Sequence, residues 1–332
     1  MQSQAGVTAC RIIGGDLDGT APALDECDDV VLLPSTDDPE FADTVSAICR
    51  QHEVDLVLPG RDPDLVALAD AAADAQSPIR MPCAPPHLVA MARDKGRSAQ
   101  WCAAHGIPFA DSVSTDDPDA PAQVAGLLRT WGYPLICKPR DGSASAGVAA
   151  VVDEGQLTVV LSRPGLVLQP FIDPPAAEAL SLDGSAGWPL FWEIPCPDEP
   201  AVMGLIGPDG EIGPHLCFTA THRLGRNEDV CLSDDPELND FACVTIERFR
   251  DAGWRGPLNM QVRRSAAAWY IIEINARFTG GTAGRLHLGL DEVRWVLSRW
   301  IGRDVMPPWV HPPVRRVNRY LQEFPVRPSS NG

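Results

Sequence analysis

Lysine is almost missing from this chain. Of its 27 basic residues 25 are Arg, and only Lys95 and Lys138 are Lys. A chain so biased should keep Lys where a compact, flexible ammonium serves and a planar guanidinium does not fit. Both lysines are therefore candidate functional residues, against the plainer alternative that two ordinary lysines survive by chance. Basic charge is also short, with a formal net charge of -18 at pH 7. That argues against non-specific binding to nucleic acid or anionic membrane, since both need a basic surface. No basic stretch followed by a long apolar run opens the chain, so neither a signal peptide nor a membrane span is expected. Among the ten cysteines no Cys-x-x-Cys pair occurs. Most lie in apolar segments, as buried free thiols do, which fits a reducing cytoplasm better than a disulfide framework. Neither a G-x-G-x-x-G nor a Walker A pattern is present, and there are no internal repeats.

What is there begins with 332 residues, enough for two or three domains with a real core. The most informative stretch is 255–281. Trp269, Tyr270, Ile271 and Ile272 are aromatic or β-branched and read as a strand, continued by Glu273, Asn275 and Arg277 towards Gly280 and Gly281. Strand side chains alternate, so those three polar residues share one face. Asn259, Gln261 and Arg263 keep the same period of two on the preceding segment, and the short link through Ser265 suggests a hairpin. One sheet face would then carry a carboxylate, amides and guanidinium groups. Burying that set unpaired would cost several kcal/mol per charge, so it should meet something charged and hydrated. Magnesium with nucleotide phosphates fits such a face; a salt-bridged hairpin on a solvated sheet is the bland alternative.

Taken in order, residues 10–16 read as a short strand. The following DLDGT at 16–20 matches the first motif of haloacid-dehalogenase-type phosphatases, but no later Lys and acidic pair follows, so Asp16 reads better as a loop carboxylate. Strands at 30–33, 54–58 and 79–81, separated by helices at 39–52 and 62–75, imply a parallel, Rossmann-like sheet that lacks its usual first strand and Gly-rich turn. After Pro82, Pro85 and Pro86 a single helical stretch is expected at 88–105, with Lys95 inside it beside Asp94. A helix near 122–131 and an apolar strand at 133–138 lead to Lys138. Beyond it, Gly142 and Gly147 flank Ser143 and Ser145 in a loop whose amides suit phosphates, with 148–152 as the return strand. The apolar strand 166–172 is expected to present a free edge to adenine. His222 is read as an ordinary polar strand residue, 236–252 as an amphipathic helix, and 291–301 as a core helix.

Lys95, Lys138, the Gly/Ser loop and the set Gln261, Glu273, Asn275 and Arg277 together resemble the ATP-grasp superfamily, above all members related to carbamoyl phosphate synthetase and to the ligase of pyrrolysine biosynthesis. The likeness covers about residues 10–305. It implies an α/β (α+β) ATP-grasp fold: a truncated Rossmann-like domain at 1–84, an ATP-grasp domain at 85–305 with a lid at about 113–170, and a carboxy-terminal extension at 306–332. By that resemblance Lys95, Lys138, Ser143, Ser145 and Gly147 would meet ATP phosphates, and Gln169, Phe171 and Ile172 would form the adenine hinge. Glu199, or else Glu178, would bind ribose. Gln261, Glu273 and Asn275 would hold Mg2+ (or Mn2+), and Arg277 and Arg223 would act in catalysis. Pro170 departs from a residue often acidic in the family. The implied activity is ATP-dependent coupling of a carboxylate to an amine through an acyl phosphate, on small molecules and as a possible homodimer. A non-catalytic ATP-binding scaffold is the alternative of a different class.

Overall fold

A computed structural model describes residues 10–142, 146–174, 199–223, 226–304 and 311–320, with the backbone alone at His222, Arg223 and Arg226. The amino-terminal part pairs β1 (Ile13–Asp16) in parallel with β2 (Asp29–Leu32). Next come α1 (Phe41–His52) and α2 (Asp62–Ala73). In α1 the buried Phe41, Val45 and Cys49 recur every four residues and form its inner stripe. The segments 54–58 and 79–81 form no strands, contrary to the sequence reading. Only the Val57 amide reaches across, to the Arg80 carbonyl at 2.8 Å. Pro59, Pro78 and Pro82 bound the two segments and remove the donors a longer ladder needs.

The expected single helix at 88–105 is two: α3 (Pro86–Arg93) and α4 (Lys95–Ala104). The break falls at Asp94, whose carboxylate accepts from the Gly96 and Arg97 amides as the N-cap of α4. Lys95 thereby becomes the first residue of a new helix, not a mid-helix surface residue, and is only 5% exposed.

A small antiparallel sheet follows, in the order β3-β6-β4-β5. Its strands are β3 (Val113–Ser114), β4 (Leu135–Pro139), β5 (Ala149–Val151) and β6 (Leu166–Pro170), and α5 (Ala120–Trp131) and α6 (Glu154–Leu161) lie with it. Val124, Leu127, Leu135, Val151, Leu157 and Leu168 fill its own core. Because β6 lies between β3 and β4, it is not the free edge strand the sequence suggested.

The larger sheet is built from β7 (Glu199–Ile206), β8 (Ile212–Arg223), β9 (Arg226–Leu232), β10 (Gly256–Arg264), β11 (Trp269–Asn275) and β12 (Arg316–Asn318). Their order is β11-β10-β7-β8-β9-β12. Helix α7 (Pro236–Asp251) precedes β10, and α8 (Thr282–His287) and α9 (Glu292–Ile301) follow β11. One face of the sheet buries Leu258, Met260, Val262, Ile271 and Ile274 with Ile246, Phe249 and Trp254 and with the amino-terminal helices. The other carries Ala201, Met203, Phe218 and Val230 against Leu288 and Val296.

Gly256 shows how closely the amino-terminal part sits on this sheet. Its φ is +83°, and a Cβ there would lie 2.3 Å from the Pro82 carbonyl oxygen, so only glycine fits.

Candidate active site

With Leu258, Met260 and Val262 committed to the core, the alternation of β10 turns Asn259, Gln261 and Arg263 to the opposite face. On β11, Asn275 stands opposite Asn259 and Glu273 opposite Gln261. The register then slips, so that Val262 faces Ile271. This bulge sends both Ile272 and Glu273 towards the cleft, while Ile271 and Ile274 stay in the core.

The cleft between the two sheets has a volume of about 500 Å³, the size of sites that bury small organic ligands. Lys95, Lys138, Gly142, Glu199, Asn259, Gln261, Glu273, Asn275 and Arg277 all line it. The two lysines and the acid-amide row, far apart in sequence, therefore converge on one space. The Lys95 ammonium donates to the Gly142 carbonyl at 2.8 Å and lies 3.7 Å from Glu273. The two elements that carry the lysines, the start of α4 and the end of β4, are tied together: Arg140, two residues beyond Lys138, pairs with Asp94 at 2.6 Å, and the Lys95 amide donates to the Arg140 carbonyl at 3.1 Å.

Lys138 is only 8% exposed, and its ammonium has neither a hydrogen bond nor an ion pair among the described residues. Burial pushes its ammonium down to about 8, against the opposing pull of Glu273. A buried cation without a partner, facing a cavity, is a site prepared for an anion.

The donor set suits a hard divalent ion. Glu273 offers a carboxylate, and Gln261, Asn275 and Asn259 offer amide oxygens on the same face. Among the described residues no three His, Cys, Asp or Glu side chains gather into a metal cage. This chemistry fits Mg2+ or Mn2+ shared with phosphate oxygens and water, not a closed protein site.

Other expected positions are less simple. Arg277 lines the cleft, but its Nε and Nη2 donate to Asp62 at 2.7 and 2.5 Å, and Nη1 donates to the Phe278 carbonyl at 3.0 Å. Glu199 is in the cleft and accepts from Arg263 at 2.7 Å. Gln169 is buried, donates to the Ser112 hydroxyl at 2.9 Å and leaves its Oε1 without a partner among the described residues. Phe171 and Ile172, expected at the adenine hinge, line a further cavity, with Trp131, Tyr133 and Pro134. Gly147 has φ +73° and a Cβ there would sit 2.9 Å from Pro139, so the loop turns tightly over the end of β4. Ser143, Ser145 and Glu178 lie outside the described residues, and Arg223 is described by its backbone at the end of β8. Asp16 is exposed and accepts from the Asp18 amide at 2.9 Å, as a loop carboxylate does.

Sequence reasoning missed Asp62, Arg285 and Arg319. Arg285 is wholly buried against Glu292 at 2.8 Å while touching the cleft. The signal for Asp62 was the unexplained acidic DPD at 62–64, which opens the apolar helix α2.

Comparison with known proteins gives the family context. Residues 2–79 match the model of a PylC-like, N-terminal domain. No curated protein sequence matches the chain. Among solved structures, the biotin carboxylase domain of 2-oxoglutarate carboxylase from Hydrogenobacter thermophilus, in complex with MgADP, ADP and bicarbonate, superposes with a TM-score of 0.65 at 15% identity. That match covers 91% of this chain but 66% of the other. N5-carboxyaminoimidazole synthetase from Staphylococcus aureus, complexed with ADP, gives 0.64 at 12% identity over 90% of this chain and 72% of its own. N5-carboxyaminoimidazole ribonucleotide synthetase from Thermus thermophilus gives 0.64 at 18% identity over 90% and 75%. The chain has the ATP-grasp fold. No helix among the described residues is long and apolar enough to cross a membrane.

Proposed function

We propose that this chain is an ATP-dependent carboxylate–amine ligase that activates a small-molecule acid as an acyl phosphate. The observation that carries the reading is the meeting of Lys95, Lys138, Gln261, Glu273 and Asn275 around one cleft. ATP is the substrate whose triphosphate lies against the two lysines. Glu273, Asn275 and Gln261 hold Mg2+ (or Mn2+), which when bound offsets the negative charge of the phosphate oxygens.

The residues of the chain supply binding, orientation and charge. Lys138, buried and unpartnered, gains a counter-charge when phosphate arrives and so favours the bound state. Lys95, fixed by Glu273 and by the Gly142 carbonyl, couples the nucleotide to the loop that follows β4. Arg277 is held side-on by Asp62, which leaves one N–H on each terminal nitrogen for an anion in the cleft. A substrate carboxylate oxygen attacks the γ-phosphorus, the bond to the β,γ-bridging oxygen breaks, and ADP leaves with that electron pair. The amine then attacks the acyl carbon and phosphate departs. No protein nucleophile is needed. Loop 141–147, including Ser143 and Ser145, acts as the lid that keeps water from the acyl phosphate. Glu199 serves the ribose, Gln169 to Ile172 the adenine side, and Arg277, with Arg223, the phosphates or acyl phosphate. The domain limits are those of 1–84, 85–305 and 306–332, and the working unit is a cytoplasmic homodimer.

A second reading, ATP binding without turnover, draws on the occupied inner edge of Arg277 and the Arg263 bond to Glu199. Release of ADP and phosphate, followed with paired panels of small acids and amines, separates the two. A pair that raises release well above the ATP-only rate, and loses it in Lys138→Met, supports the ligase. Nucleotide binding with no stimulation by any pair supports the second reading.

A further inference from the structure

Strand β12 lies late in the chain and brings a further charged residue, Arg319, to the cleft. Strand β12 pairs with β9 and adds the last strand to the large sheet. Three arginines lie on or beside it, and two serve as anchors. Arg315 pairs with Asp234, and Arg316 with Asp229, whose carboxyl is thereby held below its usual range. The Arg319 amide is tied as well, donating to the Glu228 carbonyl at 2.7 Å.

The Arg319 side chain differs from its neighbours. It pairs with no carboxylate among the described residues, and among them its guanidinium makes only a long 3.4 Å hydrogen bond to the Asn227 carbonyl. It lines the main cleft beside Asn227, Thr279 and Gly280. In a chain with eighteen more acidic than basic side chains, a guanidinium left without a carboxylate is costly to waste. Its neighbours pin the strand so that this one fork projects over the cavity.

Arg319 sits beside Asn227 and Gly280, whereas the charges acting on Lys138 are those of Glu273, Lys95, Glu199 and Arg263, so the two cations serve different parts of the cleft. Thr279, Gly280 and Arg277 lie between the acid-amide row and Arg319 along the chain that leaves β11. Arg285 touches the same end, but Glu292 and the Thr279 and Thr282 hydroxyls already occupy it. Among the described residues Arg319 is therefore the cation at that end with an open fork, matched to a planar carboxylate.

We propose that Arg319 is a specificity-determining residue that binds a non-reacting carboxylate of a substrate, so that the carboxy-terminal strand completes the substrate site. The ligand class is a small acid or amino acid carrying one carboxylate beyond the group that reacts. This rests on the ligase reading. The extra carboxylate belongs either to the acid that is activated or to the amine that accepts it, and the two sources give separate kinetic signatures.

The test compares the full-length chain with Arg319→Gln, Arg319→Lys and Arg319→Glu. ADP release is measured with paired substrates that carry the second carboxylate or its amide isostere, and ADP–Mg2+ affinity is measured alongside. The expected result is a KM for one substrate raised roughly 10- to 100-fold in Arg319→Gln, the loss of one charge-assisted hydrogen-bonded pair. Arg319→Lys recovers part of it, Arg319→Glu reverses the preference towards the amide, and ADP affinity stays unchanged. A raised KM for the acid assigns the carboxylate to the activated substrate, and a raised KM for the amine assigns it to the acceptor. Equal KM values across the variants, with turnover intact, overturn this inference and leave the ligase reading standing. If no pair stimulates ADP release, the ligase reading fails. Calorimetric titration of the same dicarboxylates and amino acids then decides the subsite: binding weakened by Arg319→Gln sustains it, and equal or absent binding overturns it.

Discussion

Asp62 and Arg277, 215 residues apart in sequence, form a two-pronged ion pair of 2.5 and 2.7 Å that joins the start of α2 to the segment just beyond β11. Both side chains are mostly shielded, at 12 and 15% exposure. The pair uses the inner edge of the guanidinium and so sets which edge reaches the cleft. Asp62→Ala leaves a shielded cation unpaired and is expected to cost about 2–4 kcal/mol of unfolding free energy, read from urea denaturation. Asp62→Asn is expected to keep the fold better and still lower turnover, because a neutral amide holds the guanidinium less firmly. Unchanged stability and turnover in both variants would remove Asp62 from the site.

The pH response of nucleotide binding follows from Lys138. Its pKa in the free protein is lowered to about 8 by burial. A bound triphosphate raises that value, so binding takes up a proton near and above pH 8. Affinity for ADP–Mg2+ is therefore expected to be flat below about pH 7.5 and to fall as pH rises, approaching about tenfold per unit. Lys138→Met binds more weakly and loses this slope. Titration calorimetry between pH 7 and 9.5, in buffers of different ionisation enthalpy, measures both the slope and the proton.

Glu273→Gln keeps the shape of the side chain and removes its charge. Lys95, 3.7 Å away, loses its carboxylate, and Lys138 loses the larger of the two charges, Glu273 and Glu199, that oppose its desolvation. The midpoint of the Lys138-dependent transition is expected to move to lower pH. The gain in ADP affinity on adding Mg2+ is expected to drop by roughly tenfold or more, since the carboxylate is the one anionic ligand in the row. Magnesium titrations at fixed ADP check both outcomes.

Gly256→Ala tests how the amino-terminal part is seated. The substitution meets a φ of +83° and the Pro82 carbonyl at once, so backbone must shift. A loss of about 2–4 kcal/mol is expected, measured by denaturant midpoint.

Much of this site was legible because it is written in residue type and period. Two lysines in an arginine-rich chain were singled out by scarcity, and the alternation of β10 put Asn259 and Gln261 on the face that holds Glu273 and Asn275. What could not be read depends on packing between distant segments. The period of two gives no sign of the slip at Ile272, which keeps Glu273 in the cleft by adding a residue. A helical pattern runs through Asp94 unless its capping role is recognised. The position of β6 inside its sheet is set by β3, a strand of two residues more than 50 positions away. Asp62, Arg277 and Arg319 acquire their roles only through contacts across the fold.

The central claim is that one cleft holds a nucleotide, two lysines and a metal on the Glu273 row. It is tested most directly by a crystal of the protein grown with an ATP analogue and Mn2+, using the anomalous signal of manganese. The account predicts a manganese peak within coordination distance of Glu273 and Asn275, with phosphate oxygens on Lys95 and Lys138. A peak elsewhere, or a nucleotide lodged outside this cleft, would contradict it.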